Sequence, residues 1–289
     1  MISVLILTFN EEINVQQCLD SVAWSDDVLL IDSFSADSTV ALARSAGARV
    51  LQRHFLDFAD QRNFGIRHGG FKYDWLLHLD ADEVVTPELK DELLTIVKNA
   101  PRLAYRISSR LIFHGQWLRH SSMYPCYQVR LGRRDSLEFA QVGHGQRETL
   151  PASAIGTLKQ PLLHYSFSKG LEDWFAKHNR YSSNEATENL RSLNGGRMPW
   201  GDLLNSNRTK RWRALKELSI RLPFRPLLRF IYVYFLRLGF LDGRAGWRYC
   251  QMLSIYECMI GLKIKELQAT GTRITGSPEY LPRPSDPIR

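Results

Sequence analysis

The feature that most constrains this chain is a regular alternation in its first hundred residues. Short apolar runs rich in Val, Ile and Leu occupy Ser3–Leu7, Asp27–Ile31, Ala48–Gln52 and Trp75–Leu79. Runs of this length and composition are strands buried on both faces of a parallel sheet. Amphipathic stretches of helical spacing separate them: Glu12–Val22 carries Val15, Cys18, Leu19 and Val22 on one face, and Asp37–Ala46 ends at Gly47. Such alternation predicts an α/β fold with an open, doubly wound sheet. Ligands of these sheets bind beyond the carboxyl ends of the strands. Attention therefore falls on Thr8-Phe9-Asn10-Glu11, on Asp32-Ser33 and on Asp80-Ala81-Asp82-Glu83.

Beyond this region the pattern is less regular. A helix over Pro87–Asn99 has Thr86 as its cap and proline at its first position, and Ala104–Phe113 and Cys126–Leu131 read as strands of a mixed half-sheet. Asn194-Gly195-Gly196-Arg197-Met198-Pro199 reads as a loop or hinge. These signals divide the chain into a catalytic domain over 1–193 and a basic helical region over 194–289. With 289 residues, 44% of them hydrophobic, the chain is long enough for both. Cysteines 18, 126, 250 and 258 have neither disulfide-framework nor zinc spacing, which suggests a reducing compartment, and the apolar N-terminus leads into a strand without a signal-peptide pattern.

The net charge is +8, and its distribution is uneven. The segment Asn205–Arg248 alone carries +9, so the remaining body is close to neutral. Phe224, Leu227, Leu228, Ile231, Phe235 and Leu238 follow helical spacing there, with Arg221, Arg225 and Arg229 as an i, i+4 stripe. That predicts an amphipathic helix lying on an anionic membrane surface, or covering the sheet with its arginines solvated. Its longest uncharged run, Phe230–Leu236, is far short of the roughly twenty residues that span a bilayer. A second helix is expected over Trp247–Leu267.

The strongest chemical signal is the strand Trp75–Leu79 ending in Asp80, Asp82 and Glu83. Three carboxylates within four residues repel one another unless a cation or a donor-rich ligand sits among them. An Asp-x-Asp pair at a strand end suits Mg2+ or Mn2+, hard ions that take oxygen ligands; a solvated turn at a helix start is the plainer alternative. Asp32 ends another strand, where it can accept hydrogen bonds from a base or ribose, while Asp37 is explained by capping.

Together these segments resemble the family 2 glycosyltransferases: Thr8-Phe9-Asn10-Glu11, Ile31-Asp32-Ser33-x-Ser35-x-Asp37-x-Thr39, Gln61-Arg62-Asn63-x-Gly65 and Asp80-Ala81-Asp82-Glu83 stand in that family's order. Gly239-Phe240-Leu241-Asp242-Gly243-Arg244-Ala245-Gly246 resembles a phrase of the bacterial lipopolysaccharide core enzymes. The resemblance implies a GT-A fold (an open doubly wound mixed sheet with a C-terminal helical extension) and one-step transfer of a sugar, with inversion, from a nucleoside diphosphate, UDP by preference. It implies that Thr8, Asn10, Glu11 and Asp32 hold the nucleoside, with Asp32 facing the base, that Arg62 lies near the diphosphate, Asp80 near the ribose, and Asp82 on the metal. Inversion needs a carboxylate to take the acceptor hydroxyl's proton. The phrase Gln141–Glu148 resembles the family's His-Glu segment and assigns this to Glu148, with Asp135 and Glu138 as rivals and the role of His144 open. His164 is a further metal ligand, a contact of the diphosphate or a structural residue. The implied acceptor is a lipid-linked saccharide such as a lipopolysaccharide core intermediate, reached from the cytoplasm at the inner face of the cytoplasmic membrane; a polyprenyl phosphate is an alternative. A nucleotidyltransferase would bring a Gly-rich basic loop after the first strand, where this chain is acidic, and no nucleic-acid-binding motif accompanies the basic charge.

Overall fold

The computed structural model describes residues 1–142, 145–195, 200–222 and 224–270. The chain forms two compact units, Met1–Lys169 and Gly170–Arg289. The division falls ahead of the 193/194 boundary expected from the sequence, because Gly170–Gly195 is one continuous helix that begins the second unit. The expected hinge is partly absorbed: Asn194 and Gly195 finish that helix, and 196–199 lie outside the described residues.

In the first unit the order is β1 Ser3–Thr8, α1 Val15–Ser21, β2 Val28–Asp32, α2 Thr39–Ser45, β3 Arg49–Gln52, α3 Phe58–His68, β4 Trp75–Asp80, β5 Glu83–Val84 and α4 Pro87–Ile96. There follow β6 Ala104–Phe113, β7 Gln116–Trp117, β8 Tyr127–Arg133, β9 Phe139–Val142, β10 Gly145–Glu148, β11 Ile155–Thr157 and β12 Leu162–His164. The main sheet runs β3-β2-β1-β4-β8-β6-β12-β5, and β9 pairs with β10 as a separate hairpin. Its β3-β2-β1-β4 half is parallel. From β8 onward the directions are mixed.

Side chains alternate across the sheet as its period of two requires. Val4 and Ile6 of β1 join Leu77 and Leu79 of β4 on one face, under Cys18 and Leu19 of α1 and Leu89 and Leu93 of α4. Leu5, Leu7, Leu29, Ile31 and Leu76 occupy the other, under Phe64 and Ile66 of α3. Helix α3 starts where the Asp57 side chain accepts the Asp60 amide, and α4 where Thr86 accepts the Leu89 amide ahead of Pro87. Gly65 sets how closely α3 approaches: a Cβ there would stand 2.8 Å from both Leu5 methyls. That closeness brings α3 side chains to the end of β4.

The second unit holds α5 Gly170–Gly195, α6 Arg208–Arg221, α7 Arg225–Ile231 and α8 Gly243–Thr270. Helix α8 packs on α5 and α7. Between α5 and α8, Lys263 bonds the Asn179 carbonyl at 2.5 Å, and the Tyr256 hydroxyl donates to Glu185 at 3.1 Å. The single arginine-striped helix expected over Arg221–Leu238 is not formed. Helix α6 ends at Arg221, Phe224 takes a left-handed φ of 58°, and α7 begins anew with a proline in its first turn. Two arginines of the stripe are also engaged: Arg221 pairs with Glu217 at 3.0 Å and Arg225 with Glu257 at 2.8 Å. Among the described residues no helix is long and apolar enough to cross a membrane.

Candidate active site

The carboxyl ends of β1, β2 and β4 lie side by side through the registers Thr8–Asp32 and Leu7–Asp80. All three sequence-marked segments therefore share one edge. Asp32 is fully buried there, and its oxygens accept from the Thr8 hydroxyl at 3.0 Å, the Ser35 hydroxyl at 2.5 Å, the Ser35 amide at 2.9 Å and the Gln52 amide group at 3.1 Å. Four donors fill the lone pairs of a carboxylate, so Asp32 anchors the loop that follows it. The loop after β1 is tied to that loop in turn. The Asn10 amide donates to Ser35, Asn10 Oδ1 accepts the Ala36 amide, and the Glu11 amide donates to Thr39, each at 2.8 Å. Asn10 makes this turn with a φ of 53°, a conformation asparagine tolerates better than most residues.

Glu11 points into the site. Its carboxylate accepts from Asn14 at 2.7 Å and meets Lys169 at 2.5 Å, while Lys169 also reaches the Phe9 carbonyl at 3.3 Å. Burial raises the Glu11 pKa, Lys169 and Asn14 oppose it, and the nearby charge of Asp82 adds to the rise.

Of the three acids after β4, two are locked. Asp80 binds Arg62 at 2.6 Å through one oxygen and Arg130 at 2.7 Å through the other. Arg130 continues to Glu83 at 2.6 Å, and the second Glu83 oxygen accepts the Asp80 amide at 3.1 Å. Arg62, Arg130 and Glu83 are almost wholly excluded from water. Burial alone would raise the Asp80 carboxyl, but the two guanidinium charges outweigh it and hold Asp80 far below the usual carboxylate range. Burial of Glu83 prevails over its single arginine and raises it. Each oxygen of both carboxylates accepts a donor, while Arg62 Nε and Nη1 and Arg130 Nη1 are buried without a hydrogen-bond partner.

The Asp82 carboxylate has an imidazole rather than a guanidinium for its partner. Its carboxylate lies 3.2 Å from His164 Nε2, and its carbonyl accepts the Tyr165 amide at 2.8 Å. Strand β12 delivers His164 by pairing with β5, His164 opposite Glu83. Burial would lower the His164 imidazole, but the Asp82, Glu83 and Asp80 charges hold it up at about 9.

Arg62 reaches the site through α3 yet turns its guanidinium to Asp80 rather than to open space, a placement its spacing alone did not indicate. Glu148 ends β10. In the β9–β10 hairpin it is opposite Phe139, whose backbone is held by Asn63 of α3 and whose ring meets the His78 ring at 5.3 Å. Glu138 pairs with Arg67 in the last turn of α3. Asp135 pairs with Arg133, which also meets Asp74 at the start of β4, so this rival sits at the amino edge of the sheet. His144 lies outside the described residues. His78 is buried and held neutral, first by loss of water and then by the nearby arginines. Among the described residues no three metal-ligating side chains converge.

The model of the family described as "Glycosyl transferase family 2" matches residues 3–144. An uncharacterized glycosyltransferase of Rickettsia felis is 32% identical over 200 residues, covering 65% of this chain and 69% of that protein. The chain belongs to the family 2 glycosyltransferases. This glycosyltransferase has the GT-A architecture, a parallel half-sheet followed by a mixed half. It is also 24% identical over 266 residues to the lipopolysaccharide core biosynthesis glycosyltransferase LpsC of Rhizobium meliloti, covering 90% of this chain and 87% of that one. A mannosyltransferase of Pyrobaculum calidifontis, solved with GDP-Man and Mn2+, is 16% identical with a TM-score of 0.48, covering 91% of this chain and 86% of its own.

The family implies a divalent ion, and the donor set fits one. Each oxygen of Asp80 and of Glu83 already accepts one protein donor, and Asp82 with His164 offers a carboxylate and an imidazole beside them. Mg2+ is ordinarily held by only one or two side chains, with water and substrate phosphate completing its shell.

Proposed function

We propose that this glycosyltransferase moves a sugar, with inversion and with a divalent cation, from a nucleoside diphosphate of the UDP type onto a lipid-linked saccharide. The observation that carries this reading is the division of labour after β4: Asp80 and Glu83 are locked by Arg62 and Arg130, and Asp82 with His164 is left for ligand. In this reading Asp82 and His164 hold Mg2+ or Mn2+, which when bound offsets the charge that gathers on the departing diphosphate.

The remaining roles belong to the chain's own groups. Thr8, Asn10 and Glu11 line the nucleoside side, and Asp32 holds that wall in shape from beneath. Arg62 and Arg130 keep Asp80 ionised and fixed in direction, so that it can accept a ribose hydroxyl. Arg62 thus serves the donor through Asp80 rather than by touching the diphosphate. Glu148 takes the proton of the acceptor hydroxyl as that oxygen attacks the anomeric carbon opposite the leaving group, and a single displacement inverts the configuration. Similarity to LpsC supports a lipopolysaccharide core intermediate as acceptor. Such an acceptor places the enzyme peripherally at the inner face of the cytoplasmic membrane, against anionic lipid.

The test is a thermal-shift screen of nucleoside diphosphates with and without Mn2+. A ligand at about a hundred times its Kd stabilises by about 2.7 kcal/mol. UDP should raise the melting temperature, and more so with Mn2+; an equal shift with and without the ion would remove Asp82 and His164 from the metal role.

A further inference from the structure

The loss of the expected arginine stripe leaves a different surface in the second unit. After α7 the chain widens into a π-helical turn over Tyr232–Leu236, turns at Leu238 with a left-handed φ of 62°, and passes through Gly239–Asp242 into α8. Its large apolar side chains point outward: Leu236 is 73% exposed and Leu241 57%, with Phe235, Leu238 and Phe240 also open to solvent. Leucine in a left-handed turn is strained, and strain of this kind persists only where the surroundings enforce it. Those surroundings are rigid. The Phe230 and Tyr234 rings each pack on Trp247 with centroids 5.1 Å apart, and a Cβ on Gly246 would collide with the Gly239 carbonyl. The corner cannot fold its leucines inward.

We propose that this apolar corner inserts into the acyl boundary of an anionic membrane, so that the enzyme is held by penetration as well as by charge. Contiguous exposed apolar surface of this kind marks an interaction site. The choice of occupant follows from the rim. Of the six arginines between Leu218 and Tyr256, Arg221 and Arg225 are paired with Glu217 and Glu257, and the one acid of that stretch, Asp242, is buried. Arg244 and Arg248, at the start of α8, are exposed beside the corner. A second copy of the chain would set arginine rim against arginine rim; anionic headgroups complement it. Helical elements with apolar tips and basic flanks settle about 5–10 Å into the headgroup and acyl boundary. This inference rests on the proposed membrane-bound acceptor but makes a separate claim: binding should not vanish when salt screens the arginines.

The experiment is co-sedimentation of the intact protein with phosphatidylcholine vesicles and with vesicles containing phosphatidylglycerol, at low salt and at about 0.5 M salt, where screening is nearly complete. Wild type should bind the anionic vesicles and keep a salt-resistant fraction. The double variant Leu236→Ser/Leu241→Ser should bind about tenfold less at low salt and lose the resistant fraction. Arg244→Gln/Arg248→Gln should weaken binding at low salt and leave the resistant fraction in place. An unchanged circular dichroism spectrum and UDP shift verify that each variant is folded. If the leucine variant binds like wild type at both salts, insertion is overturned while surface adsorption stands. If wild type binds no vesicle at all, both claims fall. If wild type is instead a dimer that the leucine variant turns into a monomer, a second copy covers the corner and the lipid proposal is overturned.

Discussion

Both edges of the parallel half-sheet carry a buried carboxylate tied to arginine, and they use it differently. At the amino edge Asp27 accepts from the Ser3 hydroxyl at 2.6 Å, the Lys72 amide at 2.7 Å and Arg49 at 2.6 Å, joining the starts of β1, β2 and β3 to the segment before β4. Acid and donors are matched there. At the carboxyl edge Asp80 and Glu83 share Arg62 and Arg130, which keep three buried guanidinium nitrogens unpartnered, and Asp82 two residues away meets His164 instead of an arginine. The same chemistry is a staple at one end and a frame at the other. What distinguishes a site is the group the network leaves over.

That comparison can be broken experimentally. The largest effect should come from the leftover group. Chelation by EDTA should reduce transfer to background, with recovery on adding Mn2+ or Mg2+, and Asp82→Asn should lower kcat by about a thousandfold, a loss of about 4 kcal/mol of transition-state stabilisation. Its urea midpoint should stay close to wild type. If Asp27→Asn lowers kcat as much, the two edges are not distinct.

Next in size is the frame itself. Arg130→Met strands Glu83 without its cation and should lower unfolding stability by about 3–5 kcal/mol, read from urea titration, and weaken UDP binding in the fraction that folds. Arg49 is nearly half exposed, so Arg49→Met should lower stability by only about 1 kcal/mol, with UDP affinity unchanged. Glu148→Gln should reduce kcat by about a hundredfold while UDP affinity stays intact. Near-normal turnover would move the base to Glu138, since Asp135 lies at the other edge.

The smallest effect separates the edges by pH. Burial opposes ionisation of Asp27, but Ser3, the Lys72 amide and Arg49 prevail and hold its pKa below the ordinary value. Its folded-state value is thus depressed, and its stabilisation is present above the unfolded value of about 3.9 and fades as pH falls through the folded one. The difference in urea midpoint between wild type and Asp27→Asn should be constant near neutrality and shrink below about pH 4. A constant difference down to pH 3 would show that Asp27 contributes by shape alone.

How much of this was legible in the sequence depended on whether the cause was local. The strands β1, β2 and β4 were visible because burial on both faces requires continuous apolar runs, and the acids that end them were visible for the same reason. Arg130 was not noticed, although it sits between Val129 and Leu131 inside a strand. A charge in such a run is buried and must have acids across from it, and those acids are 50 and 47 residues away. Lys169 escaped because its partner Glu11 is 158 residues distant. The helical spacing from Phe224 onward holds through α7 and the π-helical turn Tyr232–Leu236 that continues it; Pro226 in the first turn of α7 was the signal that a helix restarts there. Glu148 was chosen on a phrase, and the hairpin register that places it opposite Phe139 is invisible to phrase matching.

The stitching of the β1 and β2 loops bears on how fast the donor can be captured. Three hydrogen bonds of 2.8 Å hold Asn10 and Glu11 to Ser35, Ala36 and Thr39, and Asp32 is saturated from beneath. In the proposed role of nucleoside wall, loops held this way add little conformational entropy to the encounter beyond that of the ligand itself, so capture would run at a rate set by diffusion and orientation, with discrimination among bases expressed in how long each one stays.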